Sequence, residues 1–486
     1  MASKFSLIRI MRFQCSPCQA VTVSVGTDAD GSKSSTVHLY PGVFGDSLIL
    51  TDQVCPEVGG GCLAQQAGLY DLSHSKTAIN VSTIADKATT LQNLPSIDNT
   101  VQKISGVNTL DTLGISTKWG NYSLPNATIM ALDASYLSLP NHVSYGTRVG
   151  YLSVGNPKRD LTSTQDSAND FPSVLAKQNV TPADSFGLTY GSAALNLDGS
   201  LIFGGYDRAR VLGQVGAFPI NDQKMRTELL DITIGIAEGN FSPLEEDSYD
   251  GLLRLDGSPR ATHKSITISP ATPYLSLSPE TCAAIAEHIP VTLNKSLGLY
   301  TWNTKDPIYN RLLSSAMYLG FIFHIDAGNL TIQVPFQLLN LKLEAPLAPE
   351  PTPYFPCQPY TKANKPDTDF VLGRAFLQAA YIAVHWTASR WFLAQAAGPD
   401  IDKTDISLFN PQSTTLLTTD IGNFASSWRK SWGTEPGQHE SKGSGLSDWQ
   451  IGVAVCVPVV VLALAGLCLY CVKFRKGQSL KRPGYW

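Results

Sequence analysis

Charge is scarce in this sequence. Asp, Glu, Lys and Arg together make up 16% of the 486 residues, against roughly a quarter in an average soluble domain. The 36 basic and 40 acidic side chains are mixed along the chain, for a formal net charge of -4. No basic stripe of the kind a phosphate backbone requires is present, which excludes nucleic acid as a partner. The opening MASKFSLIRIMRFQCSPCQA contains no uninterrupted apolar run of signal-peptide length, so residues 1–18 read as a truncated or misassigned start. Cys15 and Cys18 form a C-x-x-C without the strand and helix setting of a redox motif. A G-x-S-x-G elbow, an H-E-x-x-H pair and a Gly-rich phosphate loop behind a strand are all missing, and the eight histidines are not paired with cysteine ligands. These absences remove the common hydrolase, zinc and nucleotide-binding plans, and no metal or cofactor is implied. Repeats of solenoid length are missing too.

What the chain has in quantity is turn formers, with 39 Gly and 30 Pro. From Val21 to Ala397 they punctuate short β-branched and aromatic runs such as VTVSV, SLILT, SLIFGGYD, SITIS, FIFHI and RWFLA, which is an all-β pattern. Helical periodicity is confined to short stretches, chiefly Pro279 to Ile289 behind a cap-like Ser278. After Gly398 the texture turns polar and Ser/Thr-rich, and residues 398–450 read as a stem.

The stretch Ile451 to Val472 is uncharged and apolar, long enough for a helix across a bilayer. Lys473, Arg475, Lys476, Lys481 and Arg482 follow it, so the positive-inside rule makes 473–486 a basic cytoplasmic tail and the rest an extracytoplasmic body. The expectation is a single-pass membrane protein of the plasma membrane or the secretory/vacuolar pathway. Such a body should carry sugar and disulfides. Seven Asn-x-Ser/Thr acceptors occur, at Asn80, Asn121, Asn126, Asn179, Asn240, Asn294 and Asn329. Four body cysteines, an even number, read as two disulfides, and the expected pairs are Cys55 with Cys62 and Cys282 with Cys357.

Four segments in order resemble the pepsin-like aspartic peptidase family, its fungal members especially: GTRVGYLSVG, FGLTYGSAALNLDGSLIFGGYDRARVLGQVGAFPI, PATPYLSLSPETCAAIAEHIP and DFVLGRAFLQAAYIAVHWTASRWFLAQA. The second is similar to the family's crossing between its two lobes. The last contains Val371-Leu372-Gly373, like the hydrophobic-hydrophobic-Gly strand behind an active-site loop. The resemblance implies an all-β, bilobal pepsin-like fold with lobes at 19–215 and 216–397, followed by the stem and a C-terminal transmembrane helix.

The chemistry of that family requires two facing carboxylates that share a proton, each in D-T-G or D-S-G. Neither tripeptide occurs here. The resemblance sets Tyr40-Pro41-Gly42 on the first motif and Ser269-Pro270-Ala271 on the second, so Tyr40 and Ser269 stand at the aspartate positions and no catalytic residue is assigned. Asp46 is a displaced carboxylate in Gly45-Asp46-Ser47, and Trp119-Gly120 stands where the family's flap has Tyr-Gly. The expected function is a catalytically inactive pseudoprotease that binds a peptide, a wall polymer or a protein partner in or around the interlobe cleft. The alternatives are an active aspartic endopeptidase with displaced residues and a structural or adhesive surface glycoprotein. Oligomeric state is not specified by the sequence.

Overall fold

The computed structural model describes residues 6–12, 19–28, 31–55, 62–87, 101–117, 120–138, 144–155, 169–221, 224–239, 242–255, 263–359, 370–401, 403–410, 415–418 and 422–432. Strands dominate and helix is a minor component at 15%, in line with the punctuated β pattern of the sequence. The alternation is visible in detail in the strand Gln19–Thr27, where Val21, Val23 and Val25 are fully buried between the outward Thr22 and Ser24.

Two parts of the expected fold are corrected. The described residues fall within one compact unit, Met1–Gly433. Six strands, Ser6–Arg12, Ser185–Thr189, Gly199–Phe203, Val211–Pro219, Ala380–His385 and Arg390–Ala396, close into a barrel within this unit. They come from both ends of the body, so the boundary read from the sequence cuts through a shared sheet. Ser6–Arg12, within the residues whose sequence reads as a truncated or misassigned start, is a strand of this element, with Ser6 opposite Phe203 and Ile10 opposite Gly199.

The second correction concerns the membrane. Among the described residues no helix is long and apolar enough to cross one; the longest described helices, Pro279–Ala286 and Pro307–Ser314, have eight residues each. The expected span, Ile451 to Val472, lies outside the described residues. The transmembrane helix, single-pass anchoring and the location inferred from them are therefore withdrawn.

One topological unit occurs twice. In the first half, the strand Lys33–Gly42 runs parallel to Gly150–Ser153, and Ser47–Leu50 meets that strand from its other side in antiparallel sense before pairing in parallel with Gly120–Ser138. In the second half, Lys264–Ile268 runs parallel to Phe370–Leu372, whose other side takes Leu275–Leu277 antiparallel, and that strand pairs in parallel with Cys357–Pro359. Each unit brings a loop back across its own sheet, between residues 42 and 47 and between 268 and 275. Gly373 shows why a glycine is needed behind the second loop: a Cβ there would lie 2.2 Å from the Thr272 carbonyl oxygen.

The residues read as a free stem are partly packed down. Ile406–Leu408 pairs with Gly205–Asp207, Arg208 is bridged to Asp405 at 2.7 Å, and Phe409 joins Tyr206 and Phe392 in a small core. The helix Phe424–Trp428 buries Trp428 to 1% exposure, and the Gly398 amide donates to Ser427 Oγ.

Two disulfides are present, Cys55–Cys62 and Cys282–Cys357. The second joins the helix Pro279–Ala286 to the strand beside the second loop, across a sequence separation of 75. Because a closed loop of that length strongly restricts the unfolded chain, replacing both cysteines with serine is expected to cost about 2–5 kcal/mol. Urea unfolding of the double variant beside the native chain measures it.

Candidate functional site

The two loops meet at a junction built mainly of tyrosine. Tyr190 follows the strand Ser185–Thr189, is 2% exposed, and its hydroxyl reaches both loops, lying 2.9 Å from the Pro270 carbonyl oxygen and 3.2 Å from that of Pro41. A phenol has one proton, so this is a shared donation to two acceptors, with the nearer Pro270 favoured. Arg374 opens the short helix after Gly373 and makes the second tie. Its Nη1 donates to the Ala271 carbonyl at 2.6 Å, and its guanidinium lies 3.9 Å from the centre of the Tyr40 ring. That planar cation on an aromatic face, partly withdrawn from water, is an arrangement Lys would not reproduce.

Further rings fill the surroundings. Tyr151 packs against Tyr40 at 6.2 Å and against Phe44 edge-on at 5.4 Å, and its hydroxyl points to the Ala271 carbonyl at 3.4 Å. Tyr274 packs edge-on to Tyr354. Burial pushes the phenols of Tyr145, Tyr190, Tyr274 and Tyr354 up, and the Arg374 charge opposes the rise in each. These hydroxyls stay protonated across the biological pH range; they can donate hydrogen bonds but cannot act as bases.

The strand pairings give both loops the same two-sided backing. Tyr151 has Tyr40 on one side and Leu48 on the other, and Val371 and Leu372 have Thr267 and Ile268 on one side and Ser276 and Leu275 on the other. Tyr40, Pro41 and Gly42 at the first tip and Ser269, Pro270 and Ala271 at the second all lack a carboxylate. Ser269 is buried at 5% exposure, with its amide donating to the Leu372 carbonyl.

Asp46 is buried at 3% exposure, just ahead of the strand Ser47–Leu50. Its neighbour Ser47 accepts the Ser153 amide at 3.0 Å, tying the end of the loop to its backing strand. Trp119 lies outside the described residues. Of the seven sugar acceptors, Asn80, Asn121, Asn126, Asn179 and Asn329 are exposed. Asn294 is half-buried with its side-chain oxygen taken by Ser296 and Leu297, and Asn240 lies outside the described residues.

Sequence reasoning missed Tyr190 and Arg374. The signal for Arg374 was there: a lone cation inside the otherwise apolar FVLGRAFL, directly after the glycine that packs on the loop. It missed a carboxylate pair as well. Asp170 caps the helix Phe171–Lys177 by accepting the Ser173 amide, and Ser173 Oγ sits 3.3 Å from Asp170 Oδ2 and 3.0 Å from Asp184 Oδ2. Burial first, and then the Asp170 charge, raise the Asp184 carboxyl to about 6.

No protein-family model and no curated protein matches the sequence. The pepsin-like resemblance rests on the four sequence segments alone.

Two outcomes are expected. Tyr190→Phe leaves two buried carbonyls to share one fewer donor and should lower stability by about 1–2 kcal/mol with an unchanged far-ultraviolet spectrum; a loss under a few tenths of a kcal/mol would show that the tie carries no weight. The raised carboxyl of Asp184 means that the folded chain holds a proton which the unfolded chain has lost. Its stabilisation is complete below the unfolded value near 4 and disappears as pH rises through about 6, an effect of about 1–3 kcal/mol. Thermal melts at pH steps across that window should show this slope in the native chain and its loss in Asp184→Asn.

Proposed function

We propose that this chain is a non-hydrolytic homologue of the pepsin-like aspartic peptidases, retained for binding a peptide, a wall polymer or a protein partner around the junction of its two loops. The observation that carries this reading is the doubled loop unit whose tips, residues 40–42 and 269–271, hold no carboxylate and are closed over by the Tyr190 hydroxyl and the Arg374 guanidinium. In the peptidase mechanism one carboxylate draws a proton from water while its partner, still protonated, gives one to the substrate. The loop tips here offer a phenol, proline rings and a hydroxyl, and the buried phenols of Tyr145, Tyr190, Tyr274 and Tyr354 around them hold their protons. An attacking water would find donors but no base.

A structural role is the second reading. It is favoured by the way Arg374 and the tyrosine rings occupy the junction, since a site filled by its own side chains serves to join two loops as well as to seat a ligand. The active-peptidase alternative would have to work through Asp46, which is buried and sits on the first loop alone.

The deciding experiment is incubation of the full chain with a broad peptide library from about pH 3 to 7, the range in which carboxylate dyads operate. Neither the native chain nor Ser269→Asp should cleave, because the variant restores one carboxylate beside Pro270 and Ala271 and leaves the first loop tip without one. Cleavage that a statine-type inhibitor blocks would overturn the non-hydrolytic reading, and loss of that cleavage in Asp46→Asn would place the chemistry at Asp46. For the binding half, peptides recovered from the library on the native chain should be released from Arg374→Met. Equal recovery on both would leave the structural role standing instead.

A further inference from the structure

Away from the loop junction, a cavity of about 260 Å³ opens between the loop around Leu244 to Tyr249, the end of the helix Pro279–Ala286 and the start of the helix Pro307–Ser314. Its lining is mixed, with an aliphatic part in which Leu244 and Ile289 are buried and Ile308 and Pro290 lie beside them. Tyr249 and His288 form one wall as a stacked ring pair, centroids 3.9 Å apart and planes within 28°. The Tyr249 hydroxyl is held in place by the Glu246 amide at 2.9 Å.

Three carboxylates line the same cavity: Glu245, Glu287 and Asp306. Asp306 accepts the Ile308 amide at 2.8 Å, which fixes it at the start of its helix. Glu287 is 3.5 Å from an Arg254 nitrogen, a long contact on an exposed side chain, and Glu245 forms no ion pair among the described residues. The C-terminal end of the helix Pro279–Ala286 adds further negative potential beside Glu287 and His288. Acidic groups alone would suggest an inorganic ion, but among the described residues no group of three or more His, Cys, Asp or Glu is gathered closely enough to hold a metal. Carboxylates set apart around a hollow with one aliphatic side and one aromatic wall match a longer cation instead. Such a ligand has methylene groups to bury and a charge to present at the rim or over a ring face.

We propose that this cavity binds an alkyl cation, either a lysine or arginine side chain of a peptide or a free polyamine. The methylene stem lies against Leu244, Ile289 and Ile308, and the ammonium or guanidinium is shared by Glu245 and the Tyr249 face. This assignment stands apart from the loop junction, and the fate of the peptidase question does not bear on it.

The test is a calorimetric titration of the full chain with Nα-acetyl-lysine amide, its uncharged counterpart Nα-acetyl-norleucine amide, and spermidine. A cationic probe should bind at least about tenfold more tightly than the norleucine amide, and Glu245→Gln should weaken it about three- to tenfold, with Glu245→Lys weakening it further. Glu245 is exposed, so both variants keep the fold, which a thermal melt confirms. Binding of the lysine amide with little of spermidine identifies a peptide as the source, and the reverse identifies a free polyamine; each supports the site. Equal binding of the lysine and norleucine amides, affinity unchanged in both Glu245 variants, or no binding of either cation overturns it.

Discussion

A single buried hydroxyl holds the two halves of the loop arrangement in register. Tyr190 reaches the carbonyl oxygens of Pro41 and Pro270, one from each copy of the repeated unit, and has one proton to give them. Proline is the residue at both points, and it supplies a carbonyl without a competing amide donor. The Arg374 guanidinium doubles the tie from the other side, resting on Tyr40 from the first unit while donating to Ala271 in the second. In such a low-dielectric junction unsatisfied acceptors are costly. The tyrosines can therefore be understood as the condition for bringing two polar loops together in a dry place.

That reading separates geometry from chemistry. The crossing of a loop over its own sheet, twice, requires particular backbone approaches, such as the glycine at 373 behind Thr272. It makes no demand on the charge of the residue at the loop tip. A chain can keep the crossing and lose the carboxylates at little cost to its fold, and here hydrogen bonds and ring contacts occupy the space between the tips. The alkyl-cation cavity lies on different elements, so the two regions place separate demands on the sequence.

Much of the strand content was legible because period-two alternation, as in Val21, Val23 and Val25, follows directly from one-sided burial. The two disulfides were legible from an even count. The division into lobes was not, since the six-stranded element takes strands from residues 6–12 as well as from 380–396, and composition carries no trace of which distant segments will pair. The apolar run at Ile451 was read as a membrane helix on hydropathy alone, and the described residues contain no helix of that kind. At the candidate site, the absence of D-T-G and D-S-G was plain from the letters. Tyr190 gave no signal, because its hydroxyl acts on segments about 80 to 150 residues away. Arg374 stood out as a lone cation in an apolar run, but its reach to Ala271 and to the Tyr40 ring did not.

The placement of the strand Ser6–Arg12 bears on how the chain must come into being. Its partner Gly199–Phe203 emerges from the ribosome long after it, and the element they share is finished only by Ala380–His385 and Arg390–Ala396. Met11 and Arg12 pair early with Ala20 and Gln19, but Ser6 to Ile10 wait with their amides and carbonyls open until Gly199–Phe203 is synthesised. Assembly is consequently an event of the nearly complete polypeptide, slow because its decisive contacts are distant in sequence. During that interval the nascent chain depends on whatever keeps an unpaired strand from finding the wrong neighbour.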